Sequence, residues 1–228
     1  MSAFKLQVRG LNPVTTILLK ILIVALVEPL AVGWHAVKIS PYKPGNSALV
    51  LGGGPIGLAV IQALKARGDG LVIVSEVSSK RKEFAKHFGA DVIVDPTKED
   101  VVDRCRELCD GQGVHCVFDC AGIQTALDSA VEAVRARGTI VNIALWEKPC
   151  SIHPNKLNFK ERGLLYIATY QEGDFQEVLD AISSGAMKPE SMITKKIKLK
   201  DVVDDGFNAL IKDKENQVKI LVEASGAS

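Results

Sequence analysis

The stretch "VLGGGPIGL" at residues 50–58 constrains the chain more than any other. Gly52, Gly54 and Gly57 fall in a G-x-G-x-x-G pattern, with apolar Ala48 to Leu51 before it and the helical run "LAVIQALKARG" after it. A strand, a glycine turn and a helix in that order form the opening of a dinucleotide-binding unit. The reasons are spatial. Gly52 permits the tight turn out of the strand, Gly54 lets backbone approach a pyrophosphate, and Gly57 lets the helix sit close to the sheet. The helix N-terminus then offers free N–H groups and a positive dipole end to phosphates. Glu76, closing the strand "LVIVSE" about 20 residues further on, is placed to accept hydrogen bonds from adenosine ribose hydroxyls. A carboxylate there repels a 2′-phosphate, which favours NAD over NADP, although Ser75, Lys80 and Arg81 are neighbours that tolerate one. The bland alternatives are a solvated strand end for Glu76 and a surface helix charge for Arg81.

From Pro44 onward short apolar strands alternate with helical stretches. "SALVLG" leads to a helix from about Ile56 to Arg67, "GLVIVSE" to "SSKRKEFAKHFG", and "ADVIVD" to "EDVVDRCRELCDG". "VHCVFDCAG" leads to a helix over "IQTALDSAVEAVRARG", followed by the strands "TIVNIAL" and "LLYIAT". The alternation predicts an α/β fold, a doubly wound parallel Rossmann sheet covered on both faces, over residues 38–171. From about Glu172 the pattern changes to a helix "DFQEVLDAISSGAM", a short strand "MITKKIKL", a helix "KDVVDDGFNALIKDK" and a last strand "QVKILVE". Residues 172–228 are therefore expected to form a second layer or domain.

With 28 basic against 27 acidic residues, the chain has no field to draw nucleic acid or an anionic membrane. Five cysteines, an odd number, fit a reducing compartment, with the cytoplasm as the default. The spacing Cys105-x3-Cys109-x6-Cys116-x3-Cys120 imitates a four-cysteine metal site. However, the first pair falls on a helix face and the second on a strand, so ordinary apolar-face cysteines are expected. His35, His87, His115 and His153 are scattered over separate elements. At the N-terminus, Lys5 and Arg9 precede "TTILLKILIVALV", an imitation of a signal peptide. Lys20 interrupts that run, and it is shorter than the about 20 apolar residues a spanning helix needs. The expectation is a helix docked on protein, with residues 1–24 otherwise unassigned.

Taken together, "EPLAVGWHAV", "LVLGGGPIGLAVIQALKARG", "VIVSE", "FDCAG", "GTIVNIALW" and the run from Met192 to Glu223 resemble the zinc-dependent medium-chain alcohol dehydrogenases. The similarity is greatest to the butanediol and polyol (sorbitol-like) dehydrogenases. It extends from about Ala25 to Glu223. The resemblance implies oxidation of secondary alcohols, or reduction of ketones, with NAD and a zinc ion that activates the substrate oxygen. It implies that Gly52, Gly54, Pro55, Ile56 and Gly57 line the pyrophosphate and that Glu76 and Arg81 hold the adenosine ribose. Cys120, Ala121 and Gly122, with Asn142, Ile143 and Ala144, would run beside the rest of the cofactor.

The same resemblance marks a departure. The family carries its zinc ligands in a domain ahead of the "EPLAVGWHAV" helix, and residues 1–24 contain no Cys or His. Glu28 alone matches a glutamate at the zinc-site edge; its other role is a carboxylate at a helix start before Pro29. No metal site is expected in this chain. Residues 25–37, an inter-domain helix, and 172–228, a remnant of the catalytic domain, are expected to expose apolar surface. In "LLYIATY", Tyr166 and Ile167 depart from the glycine or serine of some relatives. The leading expectation is a truncated NAD-dependent alcohol dehydrogenase, weak or inactive alone. The alternatives are a non-catalytic NAD-binding module that pairs with a full-length relative, and a fragment with a misassigned start. Family members often dimerise through edge strands, so a homo-oligomer is a further expectation.

Overall fold

The computed structural model describes residues 13–213 and 215–224, with side chains from Ile23 onward. The expected segment 1–24 and the end of 172–228 lie partly outside these residues. Six strands form one parallel sheet: β1 Ala48–Leu51, β2 Val72–Ser75, β3 Val92–Val94, β4 Val114–Asp119, β5 Val134–Asn142 and β6 Gly163–Tyr166. Their spatial order is β3-β2-β1-β4-β5-β6, the doubly wound order in which the chain reverses direction between β1 and β4.

The side-chain alternation of these strands builds two cores. Val50, Val74, Phe118 and Val141 point to one face, where α1 Pro13–Ile39, α2 Pro55–Arg67, α3 Ser79–His87 and α7 Asp174–Ser184 cover them. Leu49, Ile73, Val117 and Ile140 point to the other, under α4 Val101–Leu108, α5 Gln124–Ala133 and the short α6 Pro154–Asn158. A strand period of two and helices on both sides are one requirement seen twice. α2 is buried all round its central stretch from Gly57 to Leu64 because it lies between the sheet and α1.

α1 carries Ile23, Leu26, Val27, Leu30, Ala31 and Val37 on a helical stripe, each at most 1% exposed. This corrects the expectation that residues 25–37 leave apolar surface open: the stripe faces α2 and α7. Gly33 sets the spacing, since a Cβ there would stand 2.7 Å from the Ala59 carbonyl carbon and 2.8 Å from the Val60 nitrogen. α7 is tied to α1 by polar groups. Asp174, fully buried, receives Lys38 Nζ on Oδ1 at 3.1 Å and the Gln171 N–H on Oδ2 at 2.7 Å, and His35 Nδ1 lies 2.8 Å from the same Oδ2. Glu177 accepts from Trp34 Nε1 and from Lys38 Nζ, each at 2.6 Å. Burial alone would raise the Asp174 carboxyl, but the Gln171 N–H and the Lys38 ammonium outweigh it and hold the group below its ordinary value.

Two sequence expectations change. The helix expected over "IQTALDSAVEAVRARG" stops at Ala133, and Val134 opens β5 with a register shift between Val114 and Cys116 of β4. Arg137 at φ 59° and the crowded Gly138, where a Cβ would meet Val134 at 2.6 Å, turn the chain back into line, with the Arg137 N–H on the Lys160 carbonyl. The segment "KDVVDDGFNALIKDK" is not one α-helix. It runs as a 3₁₀ turn Leu199–Asp201, a π-helical stretch Val202–Asn208 and α8 Ala209–Lys212. Beside it β7 Ile193–Lys198 and β8 Lys219–Glu223 pair in parallel as a separate small sheet, as the change of pattern after Glu172 implied. This unit does expose apolar side chains: Leu199, Val203, Phe207 and Ile211 are each more than half exposed. Among the described residues, no helix is long and apolar enough to cross a membrane.

The α1 contacts yield two expected outcomes. Gly33→Ala should lower stability by about 1–3 kcal/mol, seen as a reduced urea midpoint with unchanged slope, because backbone lies where the methyl must go. For Asp174, a depressed folded-state pKa means its contribution is full above the ordinary carboxylate range near 4 and is lost as pH falls through the folded value. Asp174→Asn should therefore be about 1 kcal/mol less stable than wild type at pH 7, with the gap closing in acid. A gap independent of pH would contradict that assignment.

Candidate functional site

The C-terminal ends of β1, β2, β4 and β5 meet along one edge of the sheet. Gly52 leaves β1 at φ +94°, donating its N–H to the Ser75 carbonyl at 2.9 Å. The chain then enters α2 with Gly54 as the N-cap and Pro55 at the first helical position, and no side chain caps the helix. Its first N–H groups are thus left for a ligand or solvent. A Cβ on Gly57 would lie 1.9 Å from the Gly52 carbonyl oxygen, so helix and turn touch at backbone distance.

Glu76 is not a solvated strand end. It is 6% exposed. One carboxylate oxygen, Oε2, accepts from the Gly53 N–H at 2.7 Å, and the other, Oε1, from the Val77 and Ser78 N–H groups, each at 2.8 Å. It therefore joins the glycine turn to the turn that starts α3. Ser78 caps α3 by accepting from the Arg81 N–H at 3.3 Å. The Arg81 guanidinium stands beside the glycine turn, 4.0 Å from where a Gly54 Cβ would be.

A cleft of about 480 Å³ opens at this edge, with Gly52, Ser75 and Glu76 on one wall and Ala121, Ile123 and Thr125 on the other. An adjoining cleft of about 430 Å³ shares Ala121 and Ile123 and continues along Gly122, Gln124, Leu145 and Trp146. The shared wall puts both at the topological switch point between β1 and β4, where open α/β sheets bind ligands. Cys120, Ala121 and Gly122 follow β4; Asn142 ends β5, and the Ile143 and Ala144 N–H groups bond the Asp119 carbonyl at 2.9 and 3.0 Å. The structure thus brings Gly52, Gly54, Pro55, Ile56, Gly57, Glu76, Arg81, residues 120–122 and residues 142–144 to one sheet edge.

Two side chains there escaped the sequence analysis. Asp119, fully buried, accepts from the Ala121 and Gly122 N–H groups through Oδ1 at 2.9 and 3.1 Å. Burial raises its carboxyl above the ordinary value, against the lowering effect of those two N–H groups. Trp146 donates its indole N–H to Asn142 Oδ1 at 2.7 Å, while Asn142 Nδ2 donates to the Ala144 carbonyl. The signal was an acid at the end of the "VFD" strand and a lone tryptophan after "TIVNIAL", neither of which announces a role.

The described residues do not fit a zinc ion. Among them, no group of three or more His, Cys, Asp or Glu side chains is placed to hold a metal. Glu28 is exposed on α1. Cys105 and Cys116 belong to cores on opposite faces of the sheet, and burial pushes both thiols up to about 12. His115 bonds Ser47, His87 meets Ser191 Oγ at 3.1 Å, and His153 caps a helical turn, Pro154–Asn158.

Residues 55–184 match the family model described as zinc-binding dehydrogenase. The (R,R)-butanediol dehydrogenase of Bacillus subtilis is 43% identical over 199 residues, covering 87% of this chain and 56% of that protein. That of Saccharomyces cerevisiae is 40% identical over 207 residues, covering 88% of this chain and 54% of that protein. A crystal structure of 2R,3R-butanediol dehydrogenase from Bacillus subtilis aligns with a TM-score of 0.83 at 42% identity, over 88% of this chain and 57% of that one. The chain spans about half the length of the curated relatives it matches.

Because the Gly57–Gly52 contact leaves no room for a methyl, Gly57→Ala should separate α2 from the turn. The expected cost is about 3 kcal/mol, at the upper end of overpacking effects, measured by denaturant unfolding. A wild-type midpoint would show that the turn tolerates the helix at a greater distance.

Proposed function

This chain belongs to the zinc-binding dehydrogenases, and from that membership we propose that it binds NAD across the β1/β4 switch point as an oxidoreductase of the butanediol dehydrogenase type. The observation that carries the proposal is the joining of the glycine turn to a buried Glu76 at the mouth of one cleft. The adenosine ribose would meet Glu76 and Arg81. The pyrophosphate would meet the uncapped start of α2 at Gly52 to Gly57, where backbone N–H groups and the helix dipole favour negative charge. The nicotinamide half would then lie along residues 120–122 and 142–144, since a dinucleotide straddles the switch point. The carboxylate of Glu76 disfavours the 2′-phosphate of NADP.

Bound NAD supplies a hydride acceptor, and a secondary alcohol or diol is the substrate class the relatives suggest, with the ketone as product. The described residues hold and orient the nucleotide but do not assemble metal ligands. We therefore expect little or no alcohol turnover from this chain alone. The work of its own residues is cofactor binding, in a cytoplasmic setting.

A second reading has its own observation. The exposed Leu199, Val203, Phe207 and Ile211 form an apolar surface on the C-terminal unit that suits a non-catalytic NAD-binding module paired with a full-length dehydrogenase. Sedimentation of the chain with and without such a relative separates the two, since a complex supports the module and independent species support a stand-alone chain.

Calorimetry with NAD and NADP on the purified chain tests the main proposal. Since Glu76 also braces two turns, the variant is Glu76→Gln, which keeps the side-chain volume but turns its NH2 toward one set of backbone N–H groups, so its affinity is read beside its urea midpoint. NAD should bind in preference to NADP, and the variant should lose at least about tenfold in NAD affinity, the worth of one charge-assisted hydrogen bond. Absence of NAD binding by wild type would overturn the proposal.

A further inference from the structure

Asp119 combines two features that ordinary loop capping does not require together. Its side chain is fully buried, and while Oδ1 takes two backbone N–H groups, Oδ2 has no hydrogen-bond partner among the described residues. A buried carboxyl oxygen left unpaired costs free energy, and each such case in a folded protein calls for an explanation. Its place in the fold supplies one. In register, Asp119 lies between Leu51, which leads into the glycine turn, and Asn142, which ends β5.

From that position one residue holds both loops of the cleft's far wall. The carboxylate fixes the Ala121 and Gly122 N–H groups, and the backbone carbonyl fixes Ile143 and Ala144. The two loops also touch: a Cβ on Gly122, which sits at φ +64°, would stand 3.0 Å from both the Ala144 Cβ and the Leu145 carbonyl oxygen. Ala121 lines both clefts, so its placement sets the width of the passage between them.

We infer that Asp119 is a positioning residue for the nicotinamide half of the dinucleotide, acting through the backbone of Ala121 and Gly122. It rests on the NAD proposal and adds a residue that touches no ligand itself. The Glu76 wall of the adenosine half is held without Asp119, none of whose hydrogen bonds go to β2 or α3.

The test compares NAD with AMP, a probe of the adenosine half alone, by calorimetry on the full chain. Asp119→Ala should weaken NAD at least about tenfold while leaving AMP within about twofold. Asp119→Asn, which keeps the Oδ1 acceptor, should restore NAD to within about threefold of wild type. Amide exchange at Ala121 and Gly122 should quicken in the Ala variant and not in the Asn variant. Should Asp119→Ala fail to fold, Gly122→Ala moves the same backbone by crowding Ala144 and should give the same selective loss. Equal weakening of NAD and AMP would mean a merely structural role and overturn the inference. Unchanged NAD affinity in Asp119→Ala, or in Gly122→Ala where that variant stands in, would overturn it too. Wild-type chain that binds neither nucleotide would instead remove the NAD proposal on which it stands.

Discussion

The contact of Gly57 with the Gly52 carbonyl oxygen is the constraint on which the rest of the architecture hangs. It draws the start of α2 down onto the end of β1, which makes α2 a fully enclosed helix and forces a second helix to cover its outer side. α1 meets that demand, and it comes close because Gly33 removes the side chain at the crossing. α7 then docks on α1 through Asp174 and Glu177, polar groups that add to the packing of Val178 and Ile182 in the same core. A three-deep stack of sheet, α2 and α1 follows from a turn with no room for a methyl group.

The same contact determines the electrostatics of the sheet edge. With α2 held low and uncapped, its first N–H groups open onto the cleft rather than onto a neighbouring side chain. Glu76 would be an uncompensated charge in such a buried position, and it is matched by three backbone N–H groups from two turns. The pairing is reciprocal. The acid is stabilised by the turns, and the turns are fixed by the acid, so the fold itself sets the geometry of this edge.

How much of this was legible in the sequence depends on whether a signal was local. The places of Gly52, Gly54, Gly57 and the terminal Glu76 could be read because they follow from spacing along one strand–turn–helix–strand segment. The six strands could be read because each shows apolar runs bounded by turn residues. The end of α5 at Ala133 could not. "AVEAVRARG" has helical composition, and it yields to pairing with β4, a tertiary gain that propensity does not contain. The π-helical stretch Val202–Asn208 was hidden for a similar reason, since its amphipathic pattern is that of an α-helix and Gly206 tucks against Ile197 only in three dimensions. Asp119 did not stand out because an acid at a strand end is ordinarily solvated, and its burial depends on ladder partners distant in sequence, Leu51 of β1 and Asn142 of β5.

The contrast between the cofactor cleft and the metal question has a physical basis. Dinucleotide recognition is assembled mainly from backbone: glycine turns, a helix start and strand ends that one sheet brings to one edge in register. Such a site is as robust as the sheet itself and needs few side chains; the ones at this edge are Glu76 and Arg81, with Asp119 behind the wall. A metal centre needs three or more side chains of the right kind converging from separate elements. In this fold Cys105 lies on α4, over one face of the sheet, while Cys116 points from β4 to the other, and each histidine sits in its own local arrangement. The sheet that draws the glycine turn, Glu76 and the ends of β4 and β5 to one edge thus leaves the potential metal-ligating side chains apart among the described residues.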